Sequence, residues 1–171
     1  MPSEQSEREV FLQYYEAYKD RIYTYFWYRT GFRREVAEDC AQEVFLRALQ
    51  AFASFDQDRP FAPWVFRIAH NHLVNYYRQQ RPTLDLEEIP ELPAPKSDMV
   101  EHRIECERVL RAMEQLDERD RNLLLLRYVD GLAHDEIAQV VGRRSVAVRV
   151  AVHRAIRRLR TVLGSDGDDV V

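Results

Sequence analysis

The stretch GLAHDEIAQVVGRRSVAVRVAVHRAIRRLR, residues 131–160, decides how this chain is read. Gly131 closes the segment before it, and a short helix is expected over 134–141. Gly142 turns the chain into a second helix over 145–163. Helix, glycine-centred turn, helix is the pattern of a helix-turn-helix, whose second helix lies in the DNA major groove. Residues 146–152, VAVRVAV, alternate and are β-branched, so propensity alone permits a strand. The continuation through Ile156, Leu159 and Leu163 keeps a helical period and selects helix.

At about 100° per residue, Val148, Val152, Ala155, Leu159 and Leu163 share one arc, the expected core face. The opposite arc carries Val146, Arg149, Val150, His153, Arg154, Arg157 and Arg160. Seven arginines and no acid lie between 143 and 160. The planar guanidinium fork suits phosphate oxygens and the guanine edge, and Val146 and Val150 suit thymine methyls. The competing reading is a solvated basic helix face that binds nothing.

Net charge, −4 over 171 residues, conceals this face. Residues 121–164 carry a net +6, residues 82–120 a net −7, and residues 1–81 a net 0. A basic block beside an acidic one predicts an anion-binding surface that the total does not report. The acidic side begins with PTLDLEEIPELPAPKS, residues 82–97, which holds four of the seven prolines and four acids. Proline removes itself and its predecessor from helical geometry, and like charges repel, so an extended acidic linker is expected there. It separates two small helical domains, 1–81 and 98–165, with 166–171 as a frayed tail. The expected fold class is all-α.

In the first domain, Val10, Phe11, Tyr14, Tyr18, Ile22, Tyr25 and Phe26 recur at three and four residues, giving an amphipathic helix over 7–28 that Gly31 ends. A second helix over 34–52 turns Val36, Ala37, Cys40, Ala41, Val44, Phe45 and Ala48 inward. Residues 53–63 read as a loop, and a third helix runs over 63–80 with Pro63 in its first turn. That helix places Trp64, Val65, Ile68, Ala69 and His72 inward, and Arg67, Asn71, Val74, Arg78 and Arg81 on another arc. Phe61, Trp64, Phe66, Tyr76 and Tyr77 interleave with these basic residues, a mixture that suits unstacked single-stranded DNA. For Trp64 and Phe66 a place in the core is the stronger reading. In the second domain, Asp98 with Glu101 opens a helix to 116, and Asp117 caps another over 118–129.

Two cysteines cannot form a disulfide framework, which points to a reducing compartment. Residues 1–10 lack an apolar signal core, and apolar runs such as 123–126 are too short to span a bilayer, so a cytoplasmic protein with no membrane insertion is expected. Cys106 and His102 sit one turn apart but do not complete a metal site, and no metal or cofactor is expected.

Several blocks in order resemble the extracytoplasmic-function group of bacterial RNA polymerase sigma factors. AEDCAQEVFLRAL (37–49) is similar to that family's region 2 signature, and PFAPWVFRIAHN (60–71) to its promoter-melting segment. LLLLRYVDGLAHDEIAQVVG (123–142) and HRAIRRLR (153–160) are similar to region 4. The resemblance implies that Asp39, Gln42, Glu43, Leu46 and Arg47 dock on core RNA polymerase. It implies that Trp64, Arg67, Asn71 and the loop 54–63 recognise and melt the −10 promoter element as single strand, with Phe61 and Arg78 on the same aromatic and basic surface. Arg143, Arg144, Ser145, Arg149, His153 and Arg154 are implied to read the −35 element as duplex, with Arg157 continuing their face. An anti-sigma protein wedged between the domains is a further implied partner. The chain departs from the family pattern at Ala133, where a small polar cap is usual, at Arg143-Arg144, at Ala147, Val150 and Ala151 on the recognition helix, and at Phe32-Arg33.

Two other readings compete. A polymerase-independent helix-turn-helix regulator accounts for 98–165 but leaves the 37–49 face unused. An enzyme is suggested only by His70-Asn71-His72, the letters of a nuclease motif on one helix without that motif's hairpin.

Overall fold

The computed structural model describes residues 4–80 and 100–165. The described residues are helical: α1 (Glu4–Arg29), α2 (Arg34–Ala51), α3 (Phe61–Gln80), α4 (Val100–Glu114), α5 (Glu118–Leu124), α6 (His134–Val141) and α7 (Ser145–Ser165). They divide into two compact units, one built chiefly on α1–α3 and one chiefly on α4–α7. The expected linker at 82–97, the Asp98 cap and the tail at 166–171 lie outside the described residues.

In the first unit α1, α2 and α3 pack around Ile22, Tyr25, Phe26, Val44, Val65 and Phe66, all at 0% exposure. All but Phe66 come from the expected inner arcs, because a 3.6-residue period puts every third and fourth side chain on one stripe, and Phe66 takes the core place that is its stronger reading. Gly31 ends α1 at φ 68°, and the Phe32 amide reaches back to the Trp27 carbonyl at 3.0 Å. The Phe32 ring meets Trp27 at 5.6 Å, the hydrophobic contact that accompanies such a C-terminal cap. Phe32 itself has φ 59°, a strained value for a bulky residue, held by that contact and the capping bond. Arg33 then donates to the Tyr76 hydroxyl at 2.6 Å, and the Tyr77 hydroxyl donates to the Arg29 carbonyl, tying the α1–α2 corner to α3.

α1 extends beyond the expected 7–28 at both ends, and two boundaries nearer the site also differ from expectation. A 3₁₀ turn, Phe52–Ser54, closes α2, and α3 starts at Phe61 rather than 63. Pro63 is tolerated there because the first N–H groups of a helix have no intrahelical acceptor.

In the second unit Asp117 caps α5 as expected, its carboxylate accepting from the Asp120 amide at 2.8 Å. The helix expected to run to 129 instead ends at Leu124, and Leu125–Val129 form one π turn. Leu123, Leu124, Leu125 and Leu126 are all at 5% exposure or less. An α-helix spreads four successive side chains around most of its circumference, and the wider turn reduces that spread. Arg121 binds the carbonyls of Met113, Glu114 and Leu116 at 3.1–3.3 Å, satisfying the end of α4.

Candidate nucleic-acid interface

α6 and α7 form the expected helix-turn-helix. Gly142 sits at φ 69°, and the Arg143 amide donates to the Ala138 carbonyl at 3.0 Å. That bond and the glycine's left-handed backbone set the angle at which α7 departs. Ala133 has no side chain to cap α6, but Glu136 accepts from the Ala133 amide at 2.8 Å, so half of the reciprocal capping box survives. Ser145, the first residue of α7, donates through Oγ to the Asp135 carboxylate. Its hydroxyl therefore braces the turn.

Val148, Val152, Ala155 and Leu159 are buried, as the helical period requires. Arg143, Arg144, Arg149, His153, Arg154 and Arg157 are exposed. Arg158 instead pairs with Asp120, at the start of α5, with Asp117 at 3.9 Å. Asp120 is only 7% exposed, so this pair clamps α7 to α5 from the side. The Asp120 hydrogen bond raises the Arg158 pKa further. Arg108 donates to the Leu163 carbonyl at 2.6 Å near the other end of α7. The recognition helix is thus held at its start, its flank and its end, while its arginine face stays open.

The α3 surface divides in two. Arg67, Asn71 and Arg78 are exposed, and Trp64 is half-buried. Phe61, expected on this surface, is 3% exposed. Its ring stacks on Tyr14 at 4.2 Å and meets Tyr18 at 5.1 Å and Trp64 at 5.3 Å, so it supports the surface from beneath. Phe66 is fully buried. The loop ahead of α3 is shaped by Asp56, whose carboxylate accepts from the Asp58 amide at 3.1 Å and faces Arg59 at 3.3 Å. Phe55, 8% exposed, pins the loop, its ring 4.6 Å from Trp64. His70 and His72 both have their pKa lowered, first by burial and then by neighbouring arginines, Arg29 and Arg67 for His70 and Arg47 for His72. Among the described residues no three His, Cys, Asp or Glu side chains are grouped to hold a metal. Burial pushes the Cys40 thiol up to about 11.

On α2, Asp39, Gln42, Leu46 and Arg47 are exposed. Glu43 and Arg47 pair at 2.7 Å, which lowers the Glu43 pKa. Leu46 at 55%, Leu49 at 44% and Leu12 at 59% exposure share an apolar groove of about 690 Å³ between α1 and α2. Sequence reasoning singles out Leu46 but not Leu12 or Leu49. The available signal is that Leu12 is apolar yet falls off the α1 inner stripe.

A helix-turn-helix with an open arginine face, together with a separate three-helix unit carrying a basic and aromatic surface, defines a two-module helical DNA-binding protein. Family profiles refine this: Sigma-70 region 2 matches residues 14–83, and Sigma-70, region 4 matches residues 106–159. CnrH of Cupriavidus metallidurans, an RNA polymerase sigma factor, is 31% identical over 144 residues, covering 77% of this chain and 75% of CnrH. BldN of Streptomyces coelicolor, an ECF RNA polymerase sigma factor, is 31% identical over 169 residues, and this chain spans 94% of itself and 62% of BldN in that match. The solved structure of CnrH in complex with the cytosolic domain of CnrY superposes with a TM-score of 0.70 at 26% identity, covering 93% of this chain and 90% of that one. The chain belongs to the ECF RNA polymerase sigma factors of the sigma-70 family. Members of this family are non-enzymatic subunits that direct transcription initiation by RNA polymerase. No helix among the described residues is long and apolar enough to cross a membrane.

Proposed function

We propose that this chain joins core RNA polymerase and directs initiation at one class of promoter. α7 reads the −35 duplex, and Trp64, Arg67, Asn71 and Arg78 with the loop before α3 open and hold the −10 element. The α2 face of Asp39, Gln42, Leu46 and the paired Glu43 and Arg47 docks on the polymerase. Residues 82–97 tether the two units, and the protein works in the cytoplasm. An anti-sigma protein silences it. That partner is supported by the RpoE structure from Bartonella quintana, described in complex with the anti-sigma factor NepR, and by CnrH bound to CnrY.

One observation carries the reading: α7 buries Val148, Val152, Ala155 and Leu159 while Arg143, Arg144, Arg149, Arg154 and Arg157 stay exposed on the faces left open. Arginines clustered on the exposed face of a helix-turn-helix are the electrostatic footprint of duplex binding. In vitro transcription with core polymerase and a randomised promoter library tests it. Initiation from templates sharing two spaced elements is expected. A chain that binds duplex DNA with full specificity but never associates with core polymerase would make it an independent regulator instead.

A further inference from the structure

We propose that the −35 element is read through thymine methyl groups by Val146 and Val150, while the arginines beside them hold phosphates. This rests on α7 being the duplex-reading helix and adds what that helix reads. The buried residues Val148, Val152 and Ala155 fix the inward direction of α7. Val150 lies half a turn round from Val148 and Val152, and Val146 stands one turn earlier on the same line. In the first two turns of α7 these two valines point most directly away from the core, at 71% exposure for Val146 and 44% for Val150, and Arg157 continues the same line two turns later. Arg149 and Arg154 lie to either side of that line.

A helix in the major groove sets the outward mid-line of its first turns against base edges and its flanks against the phosphate walls. In those first turns Arg149 and Arg154 thus face the walls, and branched methyl groups meet the floor. Valine has no side-chain hydrogen-bonding atom. The feature it can recognise on a base edge in the major groove is the thymine C5-methyl. Among the described residues neither valine is part of the buried core, and β-branched side chains are poor helix formers. With Ala147 and Ala151 the two valines form the α7 side of a concavity of about 910 Å³ whose other side is α5, with Leu123, Asp117 and Asp120.

The test uses the full chain assembled with core polymerase and a promoter duplex chosen by selection from a random library. Each thymine of the upstream element is replaced singly by deoxyuridine, which removes only the methyl group, and affinity is measured at fixed salt. One or two positions are expected to lose about fourfold each, the equivalent of ~0.8 kcal/mol for one buried carbon. That penalty should vanish in Val146→Ala or Val150→Ala, whose side chains are outside the core. Arg149→Ala should weaken every duplex alike and keep the uridine penalty. A selected element without thymine, uridine swaps without effect, or a penalty unchanged in both valine variants overturns the proposal. An assembly with no upstream sequence preference at all sinks the assignment of α7 itself, a result distinct from preference without methyl dependence.

Discussion

Phe61→Ala is expected to destabilise the first unit by several kcal/mol. The Phe61 ring is 3% exposed and lies 4.2–5.6 Å from the rings of Tyr14, Tyr18, Phe55 and Trp64. Truncating a buried phenylalanine costs ~3–5 kcal/mol, the lost transfer free energy plus the cavity left behind. The ring–ring contacts add nothing separate, because they share one ring and fall within that range. A loss of ~4 kcal/mol is a large part of the 5–15 kcal/mol typical of a whole domain. In a unit of this size each kcal/mol moves Tm by roughly 4–8 °C, giving a fall on the order of 15–30 °C. Both tryptophans, Trp27 and Trp64, lie in the first unit, so their fluorescence during guanidinium unfolding reports that unit, while far-UV circular dichroism reports both. The fluorescence midpoint should drop sharply and the transition of the second unit should stay. Phe61→Leu, which keeps most of the volume, should cost less than half as much. An unchanged midpoint in Phe61→Ala combined with failed promoter opening would refute the argument and put the ring on DNA.

Three further outcomes follow from the same geometry. Gly142→Ala meets no atom within 4 Å, so its cost is that of the φ 69° backbone, ~1–2 kcal/mol, read as a lower melting temperature of the second unit; Gly142→Asn should cost less. Leu46→Asp with Leu49→Asp should abolish association with core polymerase in gel filtration while leaving thermal stability within about 0.5 kcal/mol, since both side chains are exposed; retained association would move the docking surface elsewhere. His70 and His72 have folded pKa values below the ordinary 6.5, so their stabilising contribution is full above that value. It is lost as pH falls from there toward the folded values, because the unfolded chain takes up protons first. The tryptophan-reported midpoint should therefore be lower at pH 5.5 than at pH 7.5, and the double variant His70→Gln, His72→Gln should show a smaller drop.

Much of the interface is legible in the amino-acid sequence. The limits of α6, the turn at Gly142 and the two faces of α7 follow from rules that act over a few residues: a helical period, a glycine able to take positive φ, and the absence of acids between 143 and 160. The Asp117 cap is legible for the same reason. The family resemblance rests on blocks whose order survives translation into structure as three helices in one unit and four in the other.

Other features depend on partners far away in the chain. Phe61 reads as a surface aromatic until α1 brings Tyr14 and Tyr18 against it. Four successive leucines have no period, so only the packing around them selects the π turn. The groove shared by Leu12, Leu46 and Leu49 exists because α1 lies along α2, and neither helix carries it alone. Ser145 reads as a contact to DNA, and the structure adds a partner that the sequence does not show, Asp135 of α6, which accepts from its hydroxyl. Local backbone preference and periodicity are written residue by residue, so the chain alone determines its helices and their charged faces. Which aromatic ring is covered, which hydroxyl is engaged and which leucines are left together in the open are decided by the docking of one helix on another.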